Sequence, residues 1–208
     1  MCINVQELSQ YTQIGKDILT AFSAVVVAIV SILGLKAWKK QLKGKTEYEL
    51  ARRLLRAVYK IREAISYVRN PFVSSAEISQ ALQEANVQIA TSDSDFHKTS
   101  QGAVYQMRWK KIGESVADLD IETLEAETIW GSEVKEKLNP LRKNIKSLQV
   151  NILRYLRTLD GKSGIVIDDH MEKIIYVMSD DPAKDSFTQD VLESIKIIEE
   201  YLKVHLRI

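Results

Sequence analysis

Three short stretches carry the residue types that chemistry would need. Gly161-Lys162-Ser163 has the form of the end of a phosphate-binding loop, where a lysine and a hydroxyl meet the phosphates and their magnesium. That motif needs a further glycine five residues before Gly161, and Leu156 stands there at the end of a long helical pattern. Asp168-Asp169-His170 and Asp93-Ser94-Asp95-Phe96-His97 each offer carboxylate and imidazole to a divalent cation. Both sit where helices are expected to start, and Asp and Ser there are ordinary caps. Capping is the simpler reading of each. With one cysteine, Cys2, an intrachain disulfide and a thiolate zinc site are excluded. No catalytic, cofactor-binding or metal residue is assigned, and no cofactor is expected.

Charge offers a different kind of site. Arg52, Arg53, Arg56, Lys60 and Arg62 form a basic face, reading as contact for anionic lipid head groups or nucleic acid, or as a solvated face paired to acids elsewhere. Tyr105-Gln106-Met107-Arg108-Trp109-Lys110-Lys111 interleaves rings and cations as nucleic-acid binders do, although Trp109 also fits a core stripe.

The elements that would position these residues begin with an anchor. Residues Ile18 to Leu35 are 18 uncharged positions in a row, and five lysines follow within ten: Lys36, Lys39, Lys40, Lys43 and Lys45. A helix of that length is about 27 Å long, against a hydrocarbon layer of about 30 Å. Tyr11 and Trp38 flank it, where amphipathic rings prefer the interface. A positive n-region and a small-residue cleavage site, the marks of a removed signal peptide, are absent. A core helix of a soluble domain is the competing reading, but the run has no polar face. The expected organisation is a short extracytoplasmic stretch at 1–17, a span at 18–35, a basic juxtamembrane segment at 36–45 and a cytoplasmic helical part at 46–208. The lysines set that orientation, in a bacterial inner membrane.

Within the span, Thr20, Ser23, Ala24, Ala28, Ser31 and Gly34 recur three and four apart and share one face. Small residues on one stripe let helices approach closely in lipid. Self-association through Thr20, Ala24, Ala28, Ser31 and Gly34 is expected, and a ring of such faces could line a pore with hydroxyls. Lys39, Lys40, Lys43, Arg52, Arg53, Arg56 and Lys60 are the residues expected to contact lipid or nucleic acid.

Scarce glycine (8) and proline (3) in 208 residues favour helices over a sheet. Thr46 and Glu49 form a capping-box pattern, so a helix is expected to begin or be reinforced there after Gly44. Leu50, Leu54, Val58, Ile61, Ile65 and Val68 give an amphipathic helix ending at Asn70-Pro71. Ile78, Leu82, Ala85 and Ile89 give a weaker one. Thr91 to Ser100 reads as a polar loop, and Tyr105, Trp109, Ile112, Val116 and Leu119 mark a third helix.

Leu138, Leu141, Ile145, Leu148, Ile152, Tyr155 and Leu159 form a coiled-coil register, with Asn139-Pro140 as its expected start. Leu141, Ile145, Leu148 and Ile152 are its seam. A turn at Asp160–Gly164 leads to Ile165–Met178, strand or helix by pattern. A last helix from about Asp185 carries Phe187, Val191, Ile195, Ile198, Leu202 and Leu206. The fold class is therefore all-α: an N-terminal transmembrane helix followed by an antiparallel bundle of four or five long helices.

Charge blocks alternate along this plan. Residues 36–69 hold eleven basic and three acidic side chains, 112–136 one and eight, 137–157 six and none, and 160–200 four and eleven. An up-and-down bundle would set opposite blocks side by side.

The segment Ala37-Trp38-Lys39-Lys40-Gln41-Leu42-Lys43 resembles the tryptophan- and lysine-rich exit of bacterial single-span membrane proteins that carry a cytoplasmic helical bundle. The layout is also similar to the HEPN-like membrane accessory protein of RNA-targeting type VI CRISPR systems. That likeness implies a helical bundle behind an anchor, assembly into a membrane ring and a part in antiviral defence. HEPN ribonucleases carry an arginine followed by a histidine after four to six intervening residues, and none of His97, His170 or His205 has an arginine at that distance upstream. No catalytic residue is carried over. The expected function is a membrane-anchored, self-assembling, non-enzymatic effector or pore component in defence or stress response. A membrane-tethered HEPN-like nuclease or nucleic-acid binder is the alternative. The expected partners are the lipid bilayer, a second copy of the chain, a protein encoded nearby and, last, nucleic acid.

Overall fold

The computed structural model describes residues 5–87, 93–159, 166–179 and 181–206. Among the described residues every regular element is helical: α1 (Val5–Val68), α2 (Ser75–Glu84), α3 (Asp93–Trp130), α4 (Glu133–Thr158), α5 (Asp169–Ile175) and α6 (Ser186–Leu206), with a 3-10 turn at Pro182–Lys184. The chain divides into two compact units, Met1–Thr46 and Glu47–Ile208.

The first unit is one helical segment that carries the apolar run. Ile18, Leu19, Phe22, Val25, Ile29 and Leu33 are each more than half exposed, so no other part of the described chain covers them. Among the described residues this is the helix long and apolar enough to cross a membrane, and none of its apolar window is buried within the chain. Thr46 does not cap a new helix as its pattern suggests. Helical backbone runs through it, and its hydroxyl donates back to the Leu42 carbonyl at 3.1 Å. A preceding turn already in helical form leaves no orphan amide there for a cap to satisfy.

The second unit owes its core to the stripes read from the sequence. Leu50, Leu54, Val58, Ile61, Ile65 and Val68 of α1 are all buried. They meet Ile112 and Leu119 of α3, the α4 seam, Met171, Ile174 and Ile175 of α5, and Phe187, Val191, Ile195, Ile198 and Leu202 of α6 in one apolar cluster. A smaller cluster joins Ala81 and Leu82 of α2 to Ala103 and Val104 of α3. Burying each large aliphatic side chain contributes about 1.5–3 kcal/mol, so this core outweighs any surface interaction.

Several boundaries differ from the sequence reading. The polar stretch 93–100 belongs to α3. Exposed helix turns need no apolar stripe, and Asp and Ser suit a first turn. α4 starts at Glu133 rather than at Asn139-Pro140, and Pro140 lies inside it. Proline lacks the amide that would bond back to Glu136, but buried Val134, Leu138 and Leu141 on either side hold the turn helical. The apolar stretch toward Met178 forms the short α5, begun by Asp168, whose side chain accepts the Met171 amide at 2.7 Å. Gly131 turns α3 into α4 with φ +84°, a conformation that any Cβ would strain. The expected turn at 160–164, with Gly161-Lys162-Ser163 in it, lies outside the described residues, as do Ile89, Thr91 and Ile165.

Candidate functional site

The small-residue stripe of the apolar segment is the first candidate. Thr20, Ala24, Ala28, Ser31 and Gly34 are all exposed. The hydroxyls of Thr20, Ser23 and Ser31 donate to the carbonyls of Lys16, Leu19 and Val27 at 2.8, 2.8 and 2.7 Å. Each of these polar groups is thereby satisfied inside its own helix. The stripe is left smooth and small, and a Cβ added at Gly34 would meet nothing within 4 Å. Lys39, Lys40 and Lys43 follow it, all exposed.

The basic face of α1 splits into two kinds of residue. Arg53 donates to Glu122 at 2.9 Å and to Glu125, and Lys60 to Asp118 at 2.7 Å. The two carboxylates raise the Arg53 pKa through their hydrogen bonds and charge, against its slight burial. Arg52 and Arg56 point to solvent with no ion-pair partner among the described residues. On the other side of α3, Arg142 of α4 reaches Asp120 at 2.5 Å and Lys135 reaches Glu127 at 2.6 Å. The acidic block of α3 thus lies between two basic ones, as the alternating charge blocks suggest.

The α4 seam residues Leu141, Ile145, Leu148 and Ile152 are buried against the chain's own α3 and α6. Their periodicity is satisfied intramolecularly.

The nucleic-acid reading of Tyr105–Lys111 needs its rings and cations together in solvent; Lys110 and Lys111 are exposed and Trp109 is half-buried, but Tyr105 and Arg108 are sealed inside. Arg108 is 1% exposed and Tyr105 4%. Arg108 donates to both oxygens of Glu77 at 2.7 and 2.9 Å and to the carbonyls of Asn70 and Phe72 at 2.5 and 2.8 Å. It ties the exit of α1 to α2. The Arg108 hydrogen bonds hold the Glu77 carboxyl below its ordinary value, although partial burial opposes this; a hydrogen bond from the Tyr67 hydroxyl helps.

Arg69 does the same for α5. It donates to the carbonyls of Lys173, Ile174 and Tyr176 at 2.7, 2.8 and 2.7 Å, to Thr188 at 2.7 Å and to Asp185. These carbonyls are the open end of a helix, which a cation satisfies well. Neither buried arginine is legible as such in the sequence, because arginine is ordinarily a surface residue. The one available signal is their place. Arg69 directly precedes Asn70-Pro71, and Arg108 falls one position from Trp109 of the core stripe.

Beside them, Tyr105, Tyr155 and Tyr176 pack edge to face with centroids 5.8 and 6.2 Å apart. Burial pushes the Tyr105 and Tyr176 phenols up to about 12 and raises Tyr155 as well.

Of the other sequence candidates, Asp168 is occupied in capping, His170 is exposed, and the side chains of Asp93, Ser94 and Asp95 lie outside the described residues. No group of three His, Cys, Asp or Glu side chains able to hold a metal occurs among the described residues. Comparison with known proteins adds no relative: no family model, no curated protein and no solved structure matches this chain.

Proposed function

We propose that the chain is a membrane-anchored, self-assembling, non-enzymatic effector. The apolar segment spans a bacterial inner membrane with its N-terminus outside, and copies associate through the face of Thr20, Ala24, Ala28, Ser31 and Gly34. The observation that carries this reading is an exposed apolar helix whose hydroxyls are satisfied within it. Such a helix suits lipid, and its small-residue face suits another helix. Lys39, Lys40 and Lys43, with the solvent-facing Arg52 and Arg56, would meet anionic head groups.

The cytoplasmic unit is read as an antiparallel helical bundle. Support comes from the order of its links: Arg53 to Glu122, Lys60 to Asp118 and Val68 to Arg108, one series rising as the other falls. Its two buried arginines, Arg69 and Arg108, are spent on holding helix ends together, which favours the scaffold or effector reading. Assembly into a pore, and service in antiviral defence or stress response, follow from the hydroxyl-bearing stripe and the likeness of layout.

The test is the mass of the full-length protein in nanodiscs, beside Ala24→Leu/Ala28→Leu. A defined oligomer that dissolves in the double variant supports the reading. A monomeric wild type, or an oligomer of the same size in the variant, overturns it.

A further inference from the structure

The end of α6 meets α1, α3 and α4 at a small cluster of rings and carboxylates. His205 stacks on Trp130 of α3, with centroids 4.1 Å apart and ring planes 18° from parallel. Tyr201, one turn earlier on α6, packs edge to face against both rings, 6.3 Å from Trp130 and 5.8 Å from His205. From α1, a Glu47 carboxylate oxygen stands 3.8 Å from His205 Nδ1.

Three of these contacts gain strength when the imidazole takes a proton. A cation over an indole is drawn to the negative face of the ring. Glu47 supplies the opposite charge at ion-pair distance. His205 also belongs to the last turn of α6, where unpaired carbonyls carry partial negative charge. A hollow of about 380 Å³, lined by Trp130, Glu133, Tyr201, Val204 and His205, gives water and therefore protons a path to the ring. The Trp130 indole N–H is buried with no acceptor among the described residues, so no hydrogen bond of its own fixes that ring. The stack on His205 is what its position provides.

The other charged groups of these turns leave Glu47 as the partner. Glu133 of α4 is held by Lys137 at 3.4 Å, and Glu127, one turn before Trp130, by Lys135 at 2.6 Å. Glu49 of α1 and Glu200 and Lys203 of α6 are exposed. Among the described residues, Glu47 alone lies within ion-pair distance of the imidazole.

We propose that Glu47, Trp130 and His205 form an acid-strengthened latch, which fastens the end of α6 to α1 where α1 enters the second unit. Histidine is the side chain whose charge changes in the neutral range. The latch needs His205 protonated and Glu47 ionised, so its contribution is full on the acid side of neutrality and is lost as pH rises. It lies wholly within the second unit and does not depend on the apolar segment being a span.

The test uses the full-length chain in detergent at about pH 5.5 and about pH 8, on either side of the histidine range. In a first measurement, Trp38→Phe/Trp109→Phe leaves Trp130 as the one indole. An imidazolium stacked on an indole quenches its fluorescence, so emission should be at least about twofold dimmer at the lower pH. His205→Gln should abolish the difference. In a second, amide exchange over residues 201–206 is read by mass spectrometry and corrected for its intrinsic pH dependence. At the lower pH the wild type should exchange about two- to fivefold more slowly than His205→Gln, the effect of one partly exposed ion pair. At the higher pH the two should exchange alike. Glu47→Gln should match His205→Gln, and the double variant should match either single one. Equal emission at the two pH values overturns the latch, whatever the helix content of the variants by circular dichroism. So does an emission change that survives His205→Gln, or protection lost equally at both pH values.

Discussion

Arg69 and Asp185 form an ion pair at 3.0 Å with side chains only 1% and 2% exposed, joining the end of α1 to the start of α6 across 116 residues. Asp185 also accepts the Thr188 amide at 3.0 Å, so one carboxylate caps α6 and neutralises the arginine that closes α5. Removing either partner leaves a buried charge. Arg69→Met and Asp185→Ala should each destabilise the protein by about 3–5 kcal/mol, read as a lowered urea midpoint of the helical signal. A loss under about 1 kcal/mol would mean that water reaches the pair.

Glu77 lends the second unit a dependence on acid. Its carboxyl is held below its ordinary value by Arg108, so its contribution is present above the unfolded pKa and is lost as pH falls through the folded one. Glu77→Gln should cost about 2 kcal/mol at neutral pH, and the difference from wild type should shrink steadily below pH 4.5. A difference independent of pH would place the effect in packing instead.

The tyrosine cluster predicts the opposite limb. Tyr105 and Tyr176 ionise near 12 in the folded chain, against 10 when exposed. The phenols must be neutral to stay buried, so their contribution is intact below pH 10 and is lost as pH rises toward 12. Absorbance of phenolate during alkaline titration should show at least two tyrosines that titrate only with unfolding. Tyr105→Phe should remove one of them.

Pro140 is a helix-interior proline. Pro140→Ala restores an amide to the Glu136 carbonyl and should stabilise the protein by about 1–2 kcal/mol, after the greater freedom of the unfolded chain is counted. A destabilised variant would show that the proline sets a bend that the core needs.

The surface charges should matter far less than the seam. Lys60→Ala, with both partners about half exposed, should change stability by no more than about 1 kcal/mol. Leu148→Ala, fully buried, should cost about 2–5 kcal/mol. Parallel thermal melts of the two variants decide the ranking.

What the sequence determined by itself is periodic and local. The apolar run at 18–35 is legible from its composition, and the stripe from Leu50 to Val68, the α4 register and the α6 face are legible because burial of one face repeats every three or four residues. The capping role of Asp168 is equally legible, since it depends on an amide three residues away. Helix lengths are less so. Residues 93–100 and the first turns of α4 extend their helices beyond the stripes that mark them.

Tertiary structure alone decided the fate of the cations. Arg53 and Arg108 look alike in a sequence, yet one lies at the surface against Glu122 while the other is sealed between helix ends. Which arginine is buried depends on where distant carbonyls and carboxylates arrive, and no local pattern encodes that arrival. The same holds for Ile121 and Leu124 of α3, large apolar residues that the packed core leaves 63% and 61% exposed.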